Sequence, residues 1–369
     1  MKVILISILK IGLRLLYAPL KLLKSKNQIV YLSRQSNEKS LDMQLLEKAI
    51  AQQDSSVNQV FRLKMIDDGL AAKIKYCLSI IGDMYYLATS KVAVLDTYSV
   101  TVSCLKHKKD LKVIQMWHAL GAVKKFGLQS VGTKEGRDEK ISNAMCMHKN
   151  YDFVIAPSAQ TAKFYMQGFG VEQSKIKICP MPHVDYILDG KAKTSEFYSL
   201  NPGMGDKKIV LYLPTFRNRE QYVVQSLKIE FEDKKDYQLI ISHHPLSKVK
   251  KDEKYTPKGD FTSFELMKIA DIIITDYSAC AFEAALLMKP LYFFVPDYDE
   301  YMNDRGINVD IKEEMGSAVF ENADELMRAV ENGGYDMDSL YRFKEKYVET
   351  PKNSSSEVLA KFVLIQLGE

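Results

Sequence analysis

The sequence predicts an α/β protein built from two Rossmann-like domains, each with a parallel sheet covered by helices on both faces. Short, continuously apolar strands alternate with helical segments, which is typical of parallel sheets buried on both sides. The chain has 369 residues, which is long for one core. A Pro- and Gly-containing segment, SEFYSLNPGMGDKK, interrupts the pattern near residue 200. We therefore expect domains at 27–198 and 199–369, facing a central cleft at the carboxyl ends of their strands.

Residues 1–26 precede the first strand and have the pattern of a basic amphipathic helix. Lys10, Arg14, Lys21 and Lys24 fall within about one quarter-turn of a helical wheel and leave a broad aliphatic face. These charges argue against a membrane-spanning helix, and no small-residue cleavage site of a signal peptide follows. We expect this helix to lie on an anionic membrane surface. The alternative is that it packs on the body of the protein.

The strands follow in order along both halves. In the first half they are QIVYLS, VAVLDT, KVIQMWH, FVIAPS and KIKICP, with a helical segment LDMQLLEKAIAQQ after the first. In the second half they are KIVLYLPTF, QLIISHHP, DIIITDYS and PLYFFV. A last helix is expected from about residue 354 to 367.

Composition excludes several classes of function. The net charge of +4 arises from 51 basic and 47 acidic residues in mixed order, which does not favour a nucleic-acid partner. Five dispersed cysteines without a C-x-x-C pair are poor material for disulfides or a zinc site, and indicate buried thiols in a reducing cytosol. No H-E-x-x-H motif is present, so we expect neither a metal nor a cofactor.

In the first half, candidate functional residues follow the strand KVIQMW. His118, after KVIQMW, can act as a general base because its ordinary pKa lies near neutrality. Lys124 and Lys125 follow and can pair with phosphates of an acceptor. A structural histidine packed under Trp117 is the alternative.

In the second half, candidate functional residues follow strands at three positions. Of the adjacent His243 and His244, only one is expected to face the cleft, because neighbouring side chains of a strand point to opposite sides. Thr215 and Arg217 follow KIVLYLP, and Arg217 is a candidate diphosphate clamp. The segment Thr275-Asp276-Tyr277-Ser278 joins a strand to a helix, whose first N–H groups can bind a phosphate. Helix capping by Asp276 or Ser278 is the plain alternative. Glu283, one turn on, can accept ribose hydroxyls or face solvent.

Together these segments resemble the CDP-glycerol glycerophosphotransferase family of teichoic-acid primases and polymerases, which includes ribitol-phosphate transferases. The matching blocks occur in the order of that family over about residues 115–310. They are Trp117-His118, Lys124-Lys125 with Gly127, Pro182 with Asp185, Pro214 to Arg217, His244-Pro245, Thr275 to Ser278, Phe282, Lys289-Pro290, Asp297, Tyr301 and Arg305-Gly306. The chain departs from the family pattern at Ala119, His183, Ala279 and Glu283.

The resemblance implies a GT-B-type architecture and transfer without a metal. It implies that the first domain handles the acceptor and the second holds the CDP-polyol, with His118 and His244 as the essential pair. The donor site would then comprise Thr215, Arg217, Thr275, Asp276, Tyr277, Ser278 and Glu283. Lys124 and Lys125 would bind the acceptor.

We therefore expect a polyol-phosphate transferase that uses CDP-glycerol or CDP-ribitol and a lipid-linked glycopolymer, at the cytoplasmic face of a bacterial membrane. The departures from the family pattern leave the choice of polyol open. A GT-B glycosyltransferase that uses a nucleotide sugar is one alternative, since Glu283 would suit a ribose there too. A catalytically silent, membrane-docked homologue is another.

Overall fold

The chain forms two compact units, which are described separately. The computed structural model describes residues 2–65, 69–134, 136–215, 220–244, 247, 249–350 and 352–368. The amino-terminal unit contains Met1–Ala119, Phe126–Asp185 and Glu349–Glu369, and the carboxyl-terminal unit contains Leu120–Lys125 and Tyr186–Val348.

The amino-terminal unit contains a six-stranded parallel sheet in the order β2-β1-β3-β4-β5-β6. Its strands are β1 Gln28–Ser33, β2 Asn58–Leu63, β3 Val92–Leu95, β4 Lys112–Gln115, β5 Phe153–Ala156 and β6 Ile176–Ile178. Its helices are α1 Lys2–Leu20, α2 Leu41–Gln53, α3 Leu70–Thr89, α4 Val100–Cys104, α5 Glu139–Ala144, α6 Ala159–Phe169, the start of α7 His183–Leu188, and α16 Ser355–Gly368.

The strand-to-helix turns of this unit are closed by serines. Ser40, Ser99 and Ser158 each accept a hydrogen bond from the backbone N–H three residues later, at the starts of α2, α4 and α6. Each bond satisfies an N–H group that the helix itself cannot pair. These helices follow the carboxyl ends of β1, β3 and β5 through short connections, and the sequence predicts functional residues at such strand ends.

The carboxyl-terminal unit contains a five-stranded parallel sheet in the order β11-β10-β9-β7-β8. Its strands are β7 Lys208–Leu213, β8 Tyr237–Ile241, β9 Ile272–Thr275, β10 Leu291–Phe294 and β11 Val319–Phe320. Its helices are α8 Thr194–Leu200, α9 Glu220–Phe231, α10 Ser263–Ile269, α11 Cys280–Leu286, α12 Tyr298–Asp304, α13 Ile311–Met315, α14 Ala323–Asn332 and α15 Met337–Tyr347.

Two strands and one cysteine differ from the sequence-based expectations. The sheet edges β2 and β11 were not predicted, because their residues are mostly half-buried and do not form continuous apolar runs. Among the cysteines, Cys77 is exposed instead of buried, whereas Cys104 and Cys179 are buried and Cys146 and Cys280 are half-buried.

The two units differ from the predicted division between residues 198 and 199. The junction lies at Asp185 and Tyr186, the short segment Leu120–Lys125 belongs to the carboxyl-terminal unit, and the last helix returns to the amino-terminal unit. Helix α16 packs along α2, which explains this return. A linear assignment along the sequence misses both exchanges.

Helix α1 packs on the protein through its polar side and exposes its aliphatic side. Lys10 Nζ donates to the carbonyl of Ala144 at 2.8 Å, and Arg14 Nε donates to the carbonyl of Cys104 at 3.1 Å. The helix ends at Leu20, so Lys21 and Lys24 lie beyond it. The large exposed side chains are Val3, Ile4, Leu5, Ile8, Leu9, Ile11, Leu15 and Leu16. By length and composition alone the helix can cross a membrane, contrary to the sequence-based expectation.

Asp185 attaches the carboxyl-terminal helix to the amino-terminal unit. Its carboxylate accepts hydrogen bonds from the Ser354 and Ser356 hydroxyls, both at 2.6 Å. It also accepts bonds from the backbone N–H groups of Ser355 and Ser356, at 2.7 and 2.8 Å. Partial burial would raise the pKa of Asp185, but these four bonds hold it below the ordinary value of 3.8.

We expect Asp185→Asn to lower the free energy of unfolding by about 1–3 kcal/mol at neutral pH, because an amide cannot accept all four bonds. Since the folded-state pKa is lowered, the carboxylate contributes stability above its ordinary pKa and loses it as the pH falls. Chemical denaturation at pH 7 and pH 3 measures the difference between the proteins. The exposed Asp206→Asn is the control. An equal difference at both pH values would show that the charge is not responsible.

Candidate active site

His118 lies after β4, at the carboxyl edge of the amino-terminal sheet, with an exposed side chain. Its Nδ1 atom lies 2.8 Å from the carbonyl oxygen of Asp96, which follows the neighbouring strand β3. A carbonyl can only accept a hydrogen bond, so Nδ1 must carry the proton. In the neutral ring Nε2 is then the atom with a lone pair. The backbone thus fixes the tautomer that a general base needs.

Trp117 holds the turn before His118 in an unusual backbone conformation. Its φ angle is 70°, in the left-handed region that non-glycine residues rarely occupy. The Trp117 N–H donates to Gln115 Oε1 at 2.9 Å, and the buried Gln115 amide donates to the carbonyl of Thr97 at 3.1 Å. The indole packs against Phe126 and Phe169. Strain of this kind persists only where the surroundings over-determine it, and it concentrates at functional sites.

Gly127, the glycine that follows the two lysines, is required by its surroundings. Its φ angle is +57°, and a Cβ atom there would lie 2.2 Å from the carbonyl oxygen of Gly168. Ala119, which departs from the family pattern, does not have a positive φ angle, so its Cβ is tolerated. Its carbonyl accepts a bond from the Tyr165 hydroxyl at 2.8 Å.

An open pocket of about 350 Å³ lies around His118 within the amino-terminal unit. It is lined by Arg34, Gln35, Met65, Thr97, Tyr98, Trp117, His118, Gly127, Arg137, Met147 and His148. Arg34, Arg137 and His148 were not predicted as site residues. They are distant in sequence and meet only because β1, β3 and β4 are neighbours in the sheet.

Two buried titratable groups lie beside this pocket. Burial raises the pKa of the Asp96 carboxyl to about 7, although hydrogen bonds with Ser33 and Thr97 oppose the rise. Burial lowers the pKa of His148 to about 3, and the nearby charges of Arg137 and Arg34 add to the effect. His148 is therefore neutral at physiological pH. Its Nδ1 lies 3.0 Å from the Tyr151 hydroxyl.

Lys124 and Lys125, predicted to bind the acceptor, belong to the carboxyl-terminal unit. Lys124 forms an isolated antiparallel bridge with Ile307, and Lys125 N–H donates to the carbonyl of Gly306 at 3.1 Å. In addition to partial burial, the positive charge of Lys124 lowers the pKa of His244, which lies in the same unit. Neither lysine lines the His118 pocket, so a role beside His118 has no support within the described pocket.

The two adjacent histidines point in different directions. His243 is directed inward, with Nδ1 2.9 Å from Oε1 of the buried Glu220, which also accepts a bond from the Ser247 hydroxyl at 2.8 Å. His244 is exposed. Partial burial lowers the pKa of His244, and the positive charge of Lys124 lowers it further, while Glu220 opposes both. His244 is thus an accessible imidazole that is neutral at physiological pH.

Thr275 and Asp276, at the end of β9, form hydrogen bonds with residues at the end of β7. The Thr275 hydroxyl donates to the carbonyl of Leu213 at 2.9 Å, and the buried Asp276 carboxylate accepts the Thr215 N–H at 3.0 Å. Ser278 is half-buried, and its hydroxyl oxygen accepts the Cys280 N–H at 3.3 Å. The N-cap residue of α11 is Ala279, which makes no side-chain cap bond, so neither Asp276 nor Ser278 occupies the predicted capping position. Among the described residues of the predicted donor set, Ser278 has a partly accessible side chain.

Several of the matched blocks contact one another in this unit. Tyr277 is stacked on Tyr301, with ring centroids 3.8 Å apart and planes at 7°, and its hydroxyl donates to Asp297 at 3.2 Å. Lys289 Nζ donates to three carbonyls at the end of α10, those of Met267, Lys268 and Ala270. These blocks therefore hold the loops of the unit in place.

Glu283 is buried and does not face solvent. It accepts the Leu120 N–H at 3.3 Å, and the adjacent Phe282 ring leaves no room for a Cβ atom at Gly121. Glu283 thus holds the segment that carries Lys124. Arg217 lies outside the described residues. Within the described chain no group of three potential metal ligands occurs.

His183, which stands where the family pattern has arginine, lies in the amino-terminal unit. Its ring Nδ1 lies 2.9 Å from Asp42 Oδ1 on α2, and its backbone N–H donates to the same oxygen at 2.8 Å. The imidazole is buried. The substitution is therefore explained by packing between α7 and α2.

The chain is similar to characterised primases and to a solved polymerase. It is 27% identical over 331 residues to the teichoic acid ribitol-phosphate primase of Bacillus spizizenii, covering 84% of both chains. It is 27% identical over 308 residues to the teichoic acid glycerol-phosphate primase of Bacillus subtilis, covering 80% of this chain and 79% of the relative. Its fold is similar to that of the wall teichoic acid polymerase TagF, with a TM-score of 0.74 at 18% identity, covering 100% of this chain and 97% of that chain.

The structural similarity to TagF and the two parallel sheets confirm the expected GT-B-like α/β fold. The match to a family is more specific than the fold. Residues 16–365 match the model of CDP-Glycerol:Poly(glycerophosphate) glycerophosphotransferase. This chain therefore belongs to the CDP-glycerol:poly(glycerophosphate) glycerophosphotransferase family.

Proposed function

We propose that this chain transfers glycerol phosphate or ribitol phosphate from the matching CDP-polyol to a hydroxyl of a lipid-linked glycopolymer. Membership of the family makes it a CDP-polyol phosphotransferase that acts on a glycopolymer. The observation that carries the proposal is the Nδ1 contact of His118 with the Asp96 carbonyl. With Nδ1 protonated, Nε2 is the ring atom that carries the lone pair, and His118 lines an open pocket.

In the proposed reaction, His118 Nε2 accepts the proton of the acceptor hydroxyl as its oxygen attacks the β-phosphorus. A new bond forms between that oxygen and phosphorus. The bond from the β-phosphorus to the bridging oxygen breaks, and CMP departs with the electron pair. Proton removal by a positioned histidine contributes typically 10²- to 10⁴-fold to such a rate.

The proposed donor-binding groups lie in the carboxyl-terminal unit. His244, neutral because its pKa is lowered, can donate a ring N–H to the diphosphate, and Lys124 supplies a positive charge next to it. The Ser278 hydroxyl is a further donor. Donors held in place before the reaction stabilise the charge that develops on the departing phosphate. We thus assign Lys124 to the donor instead of the acceptor.

We expect His118→Ala to lower the rate of CMP release by about 10²- to 10⁴-fold, because the proton acceptor is lost. CDP-glycerol binding, measured by calorimetry, should remain within about twofold of wild type, since His118 belongs to the other unit. The exposed Lys163→Ala on α6 is the control for folding and activity. A near wild-type rate for His118→Ala would refute the assignment.

The identity of the polyol is tested with a donor panel. The relatives include both a ribitol-phosphate and a glycerol-phosphate primase at 27% identity, which leaves both polyols in the proposal. We expect CMP from CDP-glycerol or CDP-ribitol and no UDP from UDP-sugars, assayed with a lipid-linked acceptor. Release of UDP alone would support the glycosyltransferase alternative. No turnover of any CDP-polyol would support a silent homologue.

We further propose that the protein lies on the cytoplasmic face of a bacterial cell membrane through α1. The aliphatic side of α1 is exposed, whereas Lys10 and Arg14 bind carbonyls of the protein. Burial of exposed aliphatic groups in the membrane interface is favourable, roughly in proportion to their area. Exposed Lys2, Lys24 and Lys26 add attraction to anionic lipids.

We expect Ile8→Glu combined with Leu15→Glu to reduce co-sedimentation with phosphatidylglycerol-containing vesicles at least tenfold, because both side chains are exposed on α1. Tyr222→Glu combined with Ile229→Glu on α9 is the matched control, since these side chains are equally exposed. Extraction of wild-type protein at alkaline pH separates surface binding from spanning. Retention in the membrane after extraction would contradict a peripheral location.

A further inference from the structure

Two arginines flank one aromatic ring in the wall of the His118 pocket. The guanidinium carbons of Arg34 and Arg137 lie 5.2 and 5.9 Å from the centroid of the Tyr98 ring. Arg34 follows β1 and Arg137 precedes α5, so separate parts of the fold supply the two charges. Both line the same pocket as His118.

These charges are not neutralised within the described part of the chain. No described carboxylate lies within ion-pair distance of Arg34 or Arg137, and Arg34 Nε is buried without a hydrogen-bond partner among the described residues. The guanidinium of Arg34 does contact the Tyr76 hydroxyl. A buried N–H donor that lacks an acceptor is energetically unfavourable, so a site that retains one is suited to an incoming acceptor group.

A second crevice that is also lined by cations adjoins the His118 pocket. That crevice shares Arg34 and Thr97 with the His118 pocket and continues to Lys64 and Arg62. Arg62 is paired with Asp83 at 3.0 Å, which leaves Arg34 and Lys64 as its uncompensated described cations. Burial lowers the pKa of His148 in the pocket wall, and the positive charges of Arg137 and Arg34 lower it further.

We propose that Arg34 and Arg137 bind a phosphate group of the acceptor, and that they orient the attacking hydroxyl towards His118. Guanidinium groups match phosphate oxygens with paired, charge-assisted hydrogen bonds. Orientation of the acceptor by a phosphate next to its terminal hydroxyl would favour chains that already carry a polyol phosphate. This inference rests on the proposed function and adds the acceptor subsite to it.

Direct binding can be measured without turnover, because Trp117 is the single tryptophan of the chain and lines this pocket. We expect sn-glycerol 3-phosphate, but not glycerol, to change its fluorescence. Arg137→Ala should require about 10- to 100-fold more glycerol 3-phosphate, as expected for loss of a charge-assisted bond. Arg137 is exposed, so its replacement should not affect folding. An unchanged titration for Arg137→Ala would overturn the proposal.

Steady-state kinetics then distinguish an effect on acceptor binding from an effect on donor binding. The probe is an octyl glycoside that ends in glycerol phosphate, compared with its methyl phosphotriester, which has the same shape without the charge. We expect Arg34→Gln and Arg137→Ala to raise KM for the charged acceptor about 10- to 100-fold and to abolish the preference for it over the triester. The KM for the CDP-polyol should stay within about twofold, and Arg34→Lys should be intermediate.

The control is Arg328→Ala, an exposed arginine of the other unit. A raised KM for the CDP-polyol would assign the arginines to the donor and overturn the proposal. Wild-type protein that binds glycerol 3-phosphate at Trp117 but turns over no CDP-polyol would refute the proposed function while retaining the phosphate site.

Discussion

The hydrogen bond between His118 Nδ1 and the Asp96 carbonyl is the constraint on which the chemistry of the amino-terminal unit depends. It joins the ends of two adjacent parallel strands, β3 and β4, and uses a backbone atom that no substitution at residue 96 can remove. The strained Trp117 and the buried Gln115 amide hold the same turn from the other side. Because a backbone carbonyl holds Nδ1, the tautomer of His118 does not depend on the identity of the surrounding side chains. The pocket can therefore vary in composition while the proposed proton acceptor stays in place.

In the carboxyl-terminal unit the equivalent constraint is the segment Leu120–Lys125. It is held at its start by Glu283 and at its end by Gly306. The blocks that resemble the family signature are thereby connected, since Phe282 packs against Gly121 and Tyr277 stacks on Tyr301. Much of the family signature therefore consists of residues that hold these loops in place. Accessible donors such as His244 and Ser278 form a smaller part of it.

The sequence was sufficient to predict the central strands, because runs such as IIIT and KIVLYL are buried on both faces. It was not sufficient for the edge strand β2, whose residues are partly exposed, or for the return of α16, which depends on a carboxylate 170 residues before it. The predicted histidines lie at strand ends, as expected. Lys124 is grouped with the carboxyl-terminal unit, which a division of the chain into two continuous segments does not predict. Arg34 and Arg137 were missed because only the order of the sheet brings them together.

Helix α1 packs on the protein through its polar side and exposes its aliphatic side. This arrangement has a practical consequence for the preparation of the protein in soluble form. Removal of the helix would leave the carbonyls of Ala144 and Cys104 without the cations that they bind, and would also remove Tyr17, whose hydroxyl contacts His107. Truncation should therefore damage the unit that contains His118. Polar substitutions confined to the outward residues, such as Leu9 and Leu16, would instead preserve the inner contacts. For this helix, redesign of one surface is a sounder route to a detergent-free enzyme than deletion.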